Sequence, residues 1–323
     1  MSVDEWDSEL EVEEWKIHSL SSIKAKYDTL SLGNEAGKAI DSASLRDNLA
    51  SIKGIKSIKT LIIEPSSMLK DLDVLQAMPD LQTLQIHGKQ LRTLDGLEWF
   101  RNGWFIQIET DKNRIRNIDK ISETKITKLL LQYGNPGDIE AIGRSRTINE
   151  LVMSNPPKLA LDSWRGVPLD TLTLSGGEIE VLAETADIKS LKRLLLLKCR
   201  KLERFEGNNS GVTWMIIDTC NQLDLSTLKT FSKLEHASIV NLKTEFPLSI
   251  FAELKKLRSI SLEECKVLID KLNLKFLCPK LEDIFIGRLK KDQGIALSKA
   301  NPGVVVTNGT WSYENGSLVE NRF

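Results

Sequence analysis

The feature that most constrains this chain is a spacing. The pattern apolar-x-x-apolar-x-apolar starts at Ile58, Leu81, Gly103, Ile126, Ile148, Leu169, Leu191, Val212, Leu234, Leu257, Leu281 and Val304, with an earlier copy in Tyr27, Leu30 and Leu32. Successive starts after Ile58 lie 21 to 24 residues apart. An interval this regular marks one structural unit repeated in tandem. At 323 residues the chain also exceeds the size at which a single core keeps growing, and a solenoid that grows by adding units meets that limit.

The period inside each copy sets the local structure. Leu172 and Leu174 alternate along a strand and point one way, whereas Thr171, Thr173 and Ser175 point the other. One face is therefore core and the other open. A unit this short cannot bury its own apolar side, so it folds only when neighbours stack on it. Between strands, Leu225–Phe231 and Leu248–Leu254 carry apolar residues at helical spacing and predict short helices or 3₁₀ turns, while Leu161–Gly166 leaves room for a turn. The longer interval from Tyr27 to Ile58 predicts a helix through Ile40, Leu45, Leu49 and Ile52.

Three copies agree at five positions: Leu191, Leu194, Leu196, Cys199, Leu202; Val212, Met215, Ile217, Cys220, Leu223; and Leu257, Ile260, Leu262, Cys265, Leu268. On these residues the chain resembles leucine-rich-repeat proteins, with repeat lengths similar to those of the bacterial, internalin-like classes. The resemblance covers about residues 27–307 and implies an α/β horseshoe solenoid of some 12 to 13 repeats. Its concave face would be a parallel β-sheet and its convex side short helices or 3₁₀ turns. It also implies a ladder of Asn or Cys bonding to loop backbone. Cys199, Cys220 and Cys265 fit that ladder, and Lys89, Gly134, Pro156, Gly177, Leu242 and Leu289 depart from it. Residues 1–26, with Leu10, Val12, Trp15 and Ile17 in broken alternation, and residues 308–323, with Asn308-Gly309 and Asn315-Gly316 turns, are expected to cap the two ends of one domain.

Composition narrows function. Net charge is −1, from 44 basic and 45 acidic residues, so no overall field draws the chain to nucleic acid or anionic lipid. Neither partner is expected. The acidic start MSVDEWDSELEVEEW lacks the basic and apolar regions of a secretory signal, and no apolar stretch is long enough to cross a bilayer. A cytoplasmic setting is expected, with Cys199, Cys220, Cys265 and Cys278 as reduced, buried thiols.

Catalytic chemistry finds little support. The three histidines, His18, His87 and His236, stand in no catalytic motif, and no phosphate-binding loop or metal-binding spacing is present. No catalytic residue, metal or cofactor is assigned, and an enzyme is not expected. His87 does face outward with Glu64 and Glu109 in register on adjacent strands. That row is a secondary candidate for metal or carbohydrate, against the plainer reading of a solvated ion-pair cluster. Trp99 and Trp164 fall in the returns and read as packing residues.

Recognition remains. The outward positions are mostly polar, as water-facing strand positions should be. The exception is Arg193, Leu195, Leu197, Trp214, Ile216 and Val240, on three neighbouring strands. Exposed apolar patches with Trp and Arg mark partner sites. A one-residue register slip in Val212–Ile217, apolar on both parities, would instead bury half of them. The expected function is a non-enzymatic scaffold, monomeric when free, that binds a protein partner on its concave face. By analogy of fold it resembles immunity or inhibitor proteins that mask a toxin or enzyme; the alternative within the class is a substrate adaptor.

Overall fold

The computed structural model describes residues 9–24, 27–38, 41–109, 115–132, 140–159, 161–269 and 272–319; Ile40 and Gly134, named above, lie outside these, as does the side chain of Trp15. The described chain forms two compact units, one of residues 1–154 with 166–168 and one of residues 155–165 with 169–323.

In the first unit the strands Glu9–Glu13, Thr29–Gly33, Thr60–Ile63, Thr83–Ile86, Phe105–Glu109, Lys128–Gln132 and Glu150–Ser154 pair in sequence order, every neighbour parallel. In the second, Thr171–Ser175, Arg193–Leu197, Trp214–Asp218, His236–Val240, Ser259–Glu263, Asp283–Ile286 and Val305–Thr307 do the same. Parallel neighbours in strict chain order, each joined by a return on one side, are the geometry of a leucine-rich-repeat solenoid of the α/β class.

The alternation predicted from sequence is the alternation of burial. Leu61, Ile63, Leu84, Ile86, Leu194, Leu196, Ile260 and Leu262 are all buried. Their strand neighbours Thr60, Ile62, Thr83, Gln85, Leu195, Leu197, Ser259 and Ser261 are half-buried on the other face. Each fully covered Leu or Ile contributes about 1.5 to 3 kcal/mol of transfer free energy, and only the adjacent repeats supply the cover. The first position of each copy from Ile58 onward, such as Ile58, Leu191, Val212 and Leu257, is buried as well, where the return enters the strand.

The returns are varied. Helix Ser42–Ser51 fills the long interval before Ile58, with Asp41 accepting from Ser44 N at 2.9 Å as N-cap and Leu45 and Leu49 buried. Short 3₁₀ helices occupy Leu161–Trp164, Leu225–Thr230 and Leu248–Phe251. Two features depart from expectation. Some returns of the second unit are extended: Val181–Ala183 pairs with Arg204–Glu206, and Phe246–Pro247 with Val267–Leu268. A ten-residue helix, Lys291–Ala300, precedes the last parallel strand. The chain then turns back through Ser312–Glu314 and Ser317–Val319, both antiparallel.

In the first unit, the carboxylate of Glu14, fully buried, accepts from Asn34 Nδ2 and Met68 N at 3.2 Å each and from Ser67 Oγ. Three donors offset the cost of removing this group from water, and they tie the segment after strand Glu9–Glu13 to two loops distant in sequence.

Candidate functional site

The open face of the second unit is a grid set by strand register. Along its first row stand Thr171, Arg193, Trp214, His236, Ser259 and Asp283; along the second, Thr173, Leu195, Ile216, Ser238, Ser261 and Phe285; along the third, Ser175, Leu197, Asp218, Val240 and Glu263. Within strand Trp214–Asp218 the core positions are Met215 and Ile217, each 1% exposed. Trp214, Ile216 and Asp218 are the half-buried, outward set. The strand thus stands in the unslipped register, and all six patch residues share one face.

Adjacency within the patch is uneven. Leu195 and Ile216 are direct cross-strand partners, as are Arg193 and Trp214. Leu197 and Val240 occupy the same row but flank Asp218 between them. At about 4.8 Å between strands, the apolar side chains of Leu195, Ile216 and Trp214 form one surface, and the Asp218 carboxylate interrupts the row beside it. Arg193 Nε lies 3.4 Å from Asp170 Oδ2 in an exposed ion pair. Thr173, an outward position beside Leu195, is only 8% exposed, so the open face is not uniformly wet.

A second regularity runs along the edge of this face. The residue just after each strand has positive φ: Asn155 at 52°, Gly176 at 66°, Lys198 at 54°, Thr219 at 58°, Asn241 at 54° and Glu264 at 51°. The amide of each of the first five donates to the next repeat, as in Lys198 N to Asp218 O at 2.7 Å and Thr219 N to Val240 O at 3.0 Å. The chain accepts left-handed backbone at non-glycine residues because the stacked repeat supplies a hydrogen bond there. Sequence reasoning passed over this row; its signal was Asn155, Gly176 and Asn241, the residue types that adopt this conformation most readily.

The cysteine ladder lies directly behind. Cys199 Sγ donates to Leu174 O at 3.4 Å, Cys220 Sγ to Leu196 O at 3.5 Å and Cys265 Sγ to Ile239 O at 3.3 Å. Cys199 and Cys220 are buried; Cys265 is only half-buried, which corrects the expectation that all four thiols are covered. The hydrogen bond with Cys199, and then burial, push the Cys220 thiol up; burial, with the Glu264 and Glu263 carboxylates nearby, raises Cys265, and burial raises Cys278. At three of the positions that depart from the ladder, Pro156, Leu242 and Leu289, the residue is buried and packing replaces the hydrogen bond; Gly177 is half-buried and Lys89 exposed.

The acidic row of the first unit divides. His87 Nδ1 lies 3.1 Å from Glu109 Oε2, and Gln107 Nε2 donates to Glu109 Oε1 at 2.7 Å. Glu64 instead accepts from Ser31 Oγ at 2.5 Å. The three groups do not converge, and among the described residues no set of three or more His, Cys, Asp or Glu side chains is placed to hold a metal ion. Trp164, in its return, is fully buried, while Trp99 is half-buried under the Arg101 guanidinium, 5.1 Å from its ring.

No known protein-family profile matches the sequence, and no curated protein does either. Solved structures do. The chain is 14% identical to a chain of the mouse RP105/MD-1 complex, with a TM-score of 0.57, covering 88% of this chain and 58% of that one. It is 15% identical to a chain of the TLR13-ssRNA13 complex, with a TM-score of 0.56, covering 93% and 50%. An internalin from Listeria monocytogenes gives 14% identity over 91% and 88%, with a TM-score of 0.47. The chain spans about half the length of the first two. At these identities the likeness is one of fold. Among the described residues, no helix is long and apolar enough to cross a membrane.

Proposed function

With a leucine-rich-repeat solenoid as the scaffold, we propose that the chain is a protein-recognition module that holds a protein partner on the open face of its second unit, through Arg193, Leu195, Leu197, Trp214, Ile216 and Val240. One observation carries this reading: Leu195 and Ile216 are cross-strand partners, with Trp214 beside them, on a face whose other positions are mostly Thr, Ser and charged residues. Apolar side chains left on a polar face gain by being covered, and a Trp with an Arg beside it is the commonest composition of an interface hot spot. Four free cysteines fit a reducing, cytoplasmic setting. In that setting we place the role as masking a toxin or enzyme, with the terminal segments 1–26 and 308–323 serving as caps.

The test places a photo-crosslinking amino acid at position 238, in the second row beside Ile216, and compares capture in the parent and in Leu195→Asp and Trp214→Ala backgrounds. Both substitutions change outward groups, so thermal unfolding should move little while capture of the same protein is lost. If the two variants stay folded and still capture it, the site lies elsewhere, and the His87 row is the next candidate.

A further inference from the structure

The charge on the open face of the second unit is one-sided. Asp218, Glu263 and Asp283 point from it, and among the described residues none of them has a cationic partner. The single Lys or Arg at the strand positions of this face, Arg193, is already paired with Asp170. Asp218 is the best organised of the three. Thr219 Oγ1 and Asn241 Nδ2 donate to its Oδ1 at 2.7 and 3.2 Å, which fixes the carboxylate without neutralising it. Its row neighbours are Leu197 on one side and Val240 on the other, both half-buried. An oriented anion set between two aliphatic side chains matches a lysine or arginine, whose stem is apolar and whose head is charged.

We infer that the protein partner presents a Lys or Arg side chain beside an apolar anchor: the cation meets Asp218 with its stem over Leu197 and Val240, while the anchor covers Leu195, Ile216 and Trp214. This rests on the recognition reading above and adds the chemistry of the partner. Glu263 and Asp283, two and three strands beyond Asp218, extend the negative field, so the partner's contact surface is basic around its apolar centre. A polyanion is disfavoured by the same three carboxylates.

The test is a methyl-resolved NMR titration of the full chain with two synthetic peptides sharing an apolar core of Leu and Phe, one flanked by Arg and Lys and the other by Glu. Saturable shifts at the Leu197, Val240, Leu195 and Ile216 methyls are expected with the cationic peptide only. Asp218→Asn, close in shape but uncharged, should weaken that peptide at least tenfold, and raising salt from 50 to 500 mM should weaken it further. Equal binding of both peptides at these methyls, or an Asp218→Asn affinity within twofold of the parent, overturns the charge assignment. In that case loss of both peptides in Leu195→Asp still leaves the patch as the binding surface. If neither peptide shifts these methyls, or if a single-stranded RNA oligomer shifts them instead, the inference fails.

Discussion

The ring of Tyr313 is seated on the backbone of Gly294 so closely that a Cβ at position 294 would lie 2.4 Å from Tyr313 Cε2 and 2.6 Å from Cδ2. Gly294 sits within helix Lys291–Ala300 and Tyr313 in strand Ser312–Glu314, so this contact fastens the last helix to the closing hairpin. Gly294→Ala gains about 1 kcal/mol of helix propensity and meets an overpacking cost of about 1 to 3 kcal/mol. Net destabilisation is expected by chemical denaturation. The Tyr313 hydroxyl is buried with no hydrogen-bond partner among the described residues. Tyr313→Phe should therefore be neutral or stabilising by up to about 1 kcal/mol. A loss above that would show that the hydroxyl has a partner.

Lys198 tests the row of left-handed residues. It is exposed and holds φ at 54°. Lys198→Gly should raise stability by about 0.5 to 1 kcal/mol, because glycine adopts this backbone without a Cβ penalty. Lys198→Val should lower it. The pair is measured by urea unfolding, and the same sign for both would remove the strain argument.

The thiols should react in a defined order. In the native protein Cys265 labels first, slowly because burial holds its thiol protonated, while Cys199, Cys220 and Cys278 label only on unfolding. Mass spectrometry after timed exposure to a maleimide reads this directly. Early labelling of Cys199 or Cys220 would contradict the buried ladder.

Acid should weaken the first unit through Asp95. Lys120, with the Thr93 hydroxyl and the Asn117 amide, lowers its carboxyl from 3.8 to about 2. A carboxylate depressed in the folded state contributes stability that is present above about pH 4 and lost as pH falls toward 2. Asp95→Asn should thus flatten the pH dependence of unfolding in that window. The group is half exposed, so the effect is small and shrinks with salt.

The sequence by itself determined everything that depends on the two-residue period and the interval between repeats. Leu61 against Thr60, or Ile260 against Ser259, tells which side chain is core and which is open once a strand is assumed, and the intervals of 21 to 24 residues tell that strands stack in order. The six-residue patch was legible only through the phase carried over from neighbouring repeats, which left the register of Val212–Ile217 open. Tertiary structure alone decided what depends on a neighbour far along the chain. Met215 could be fixed inward and Trp214 outward only by pairing with Leu194 and Arg193, because Val212–Ile217 is apolar on both parities. The buried Glu14 meets Ser67 and Met68 across more than fifty residues, and Asp218 becomes a socket only when Leu197 and Val240 are brought to either side of it. Local pattern encodes burial, because burial repeats with the backbone. Hydrogen-bond partners and charge neighbours are set by stacking, which no single repeat contains.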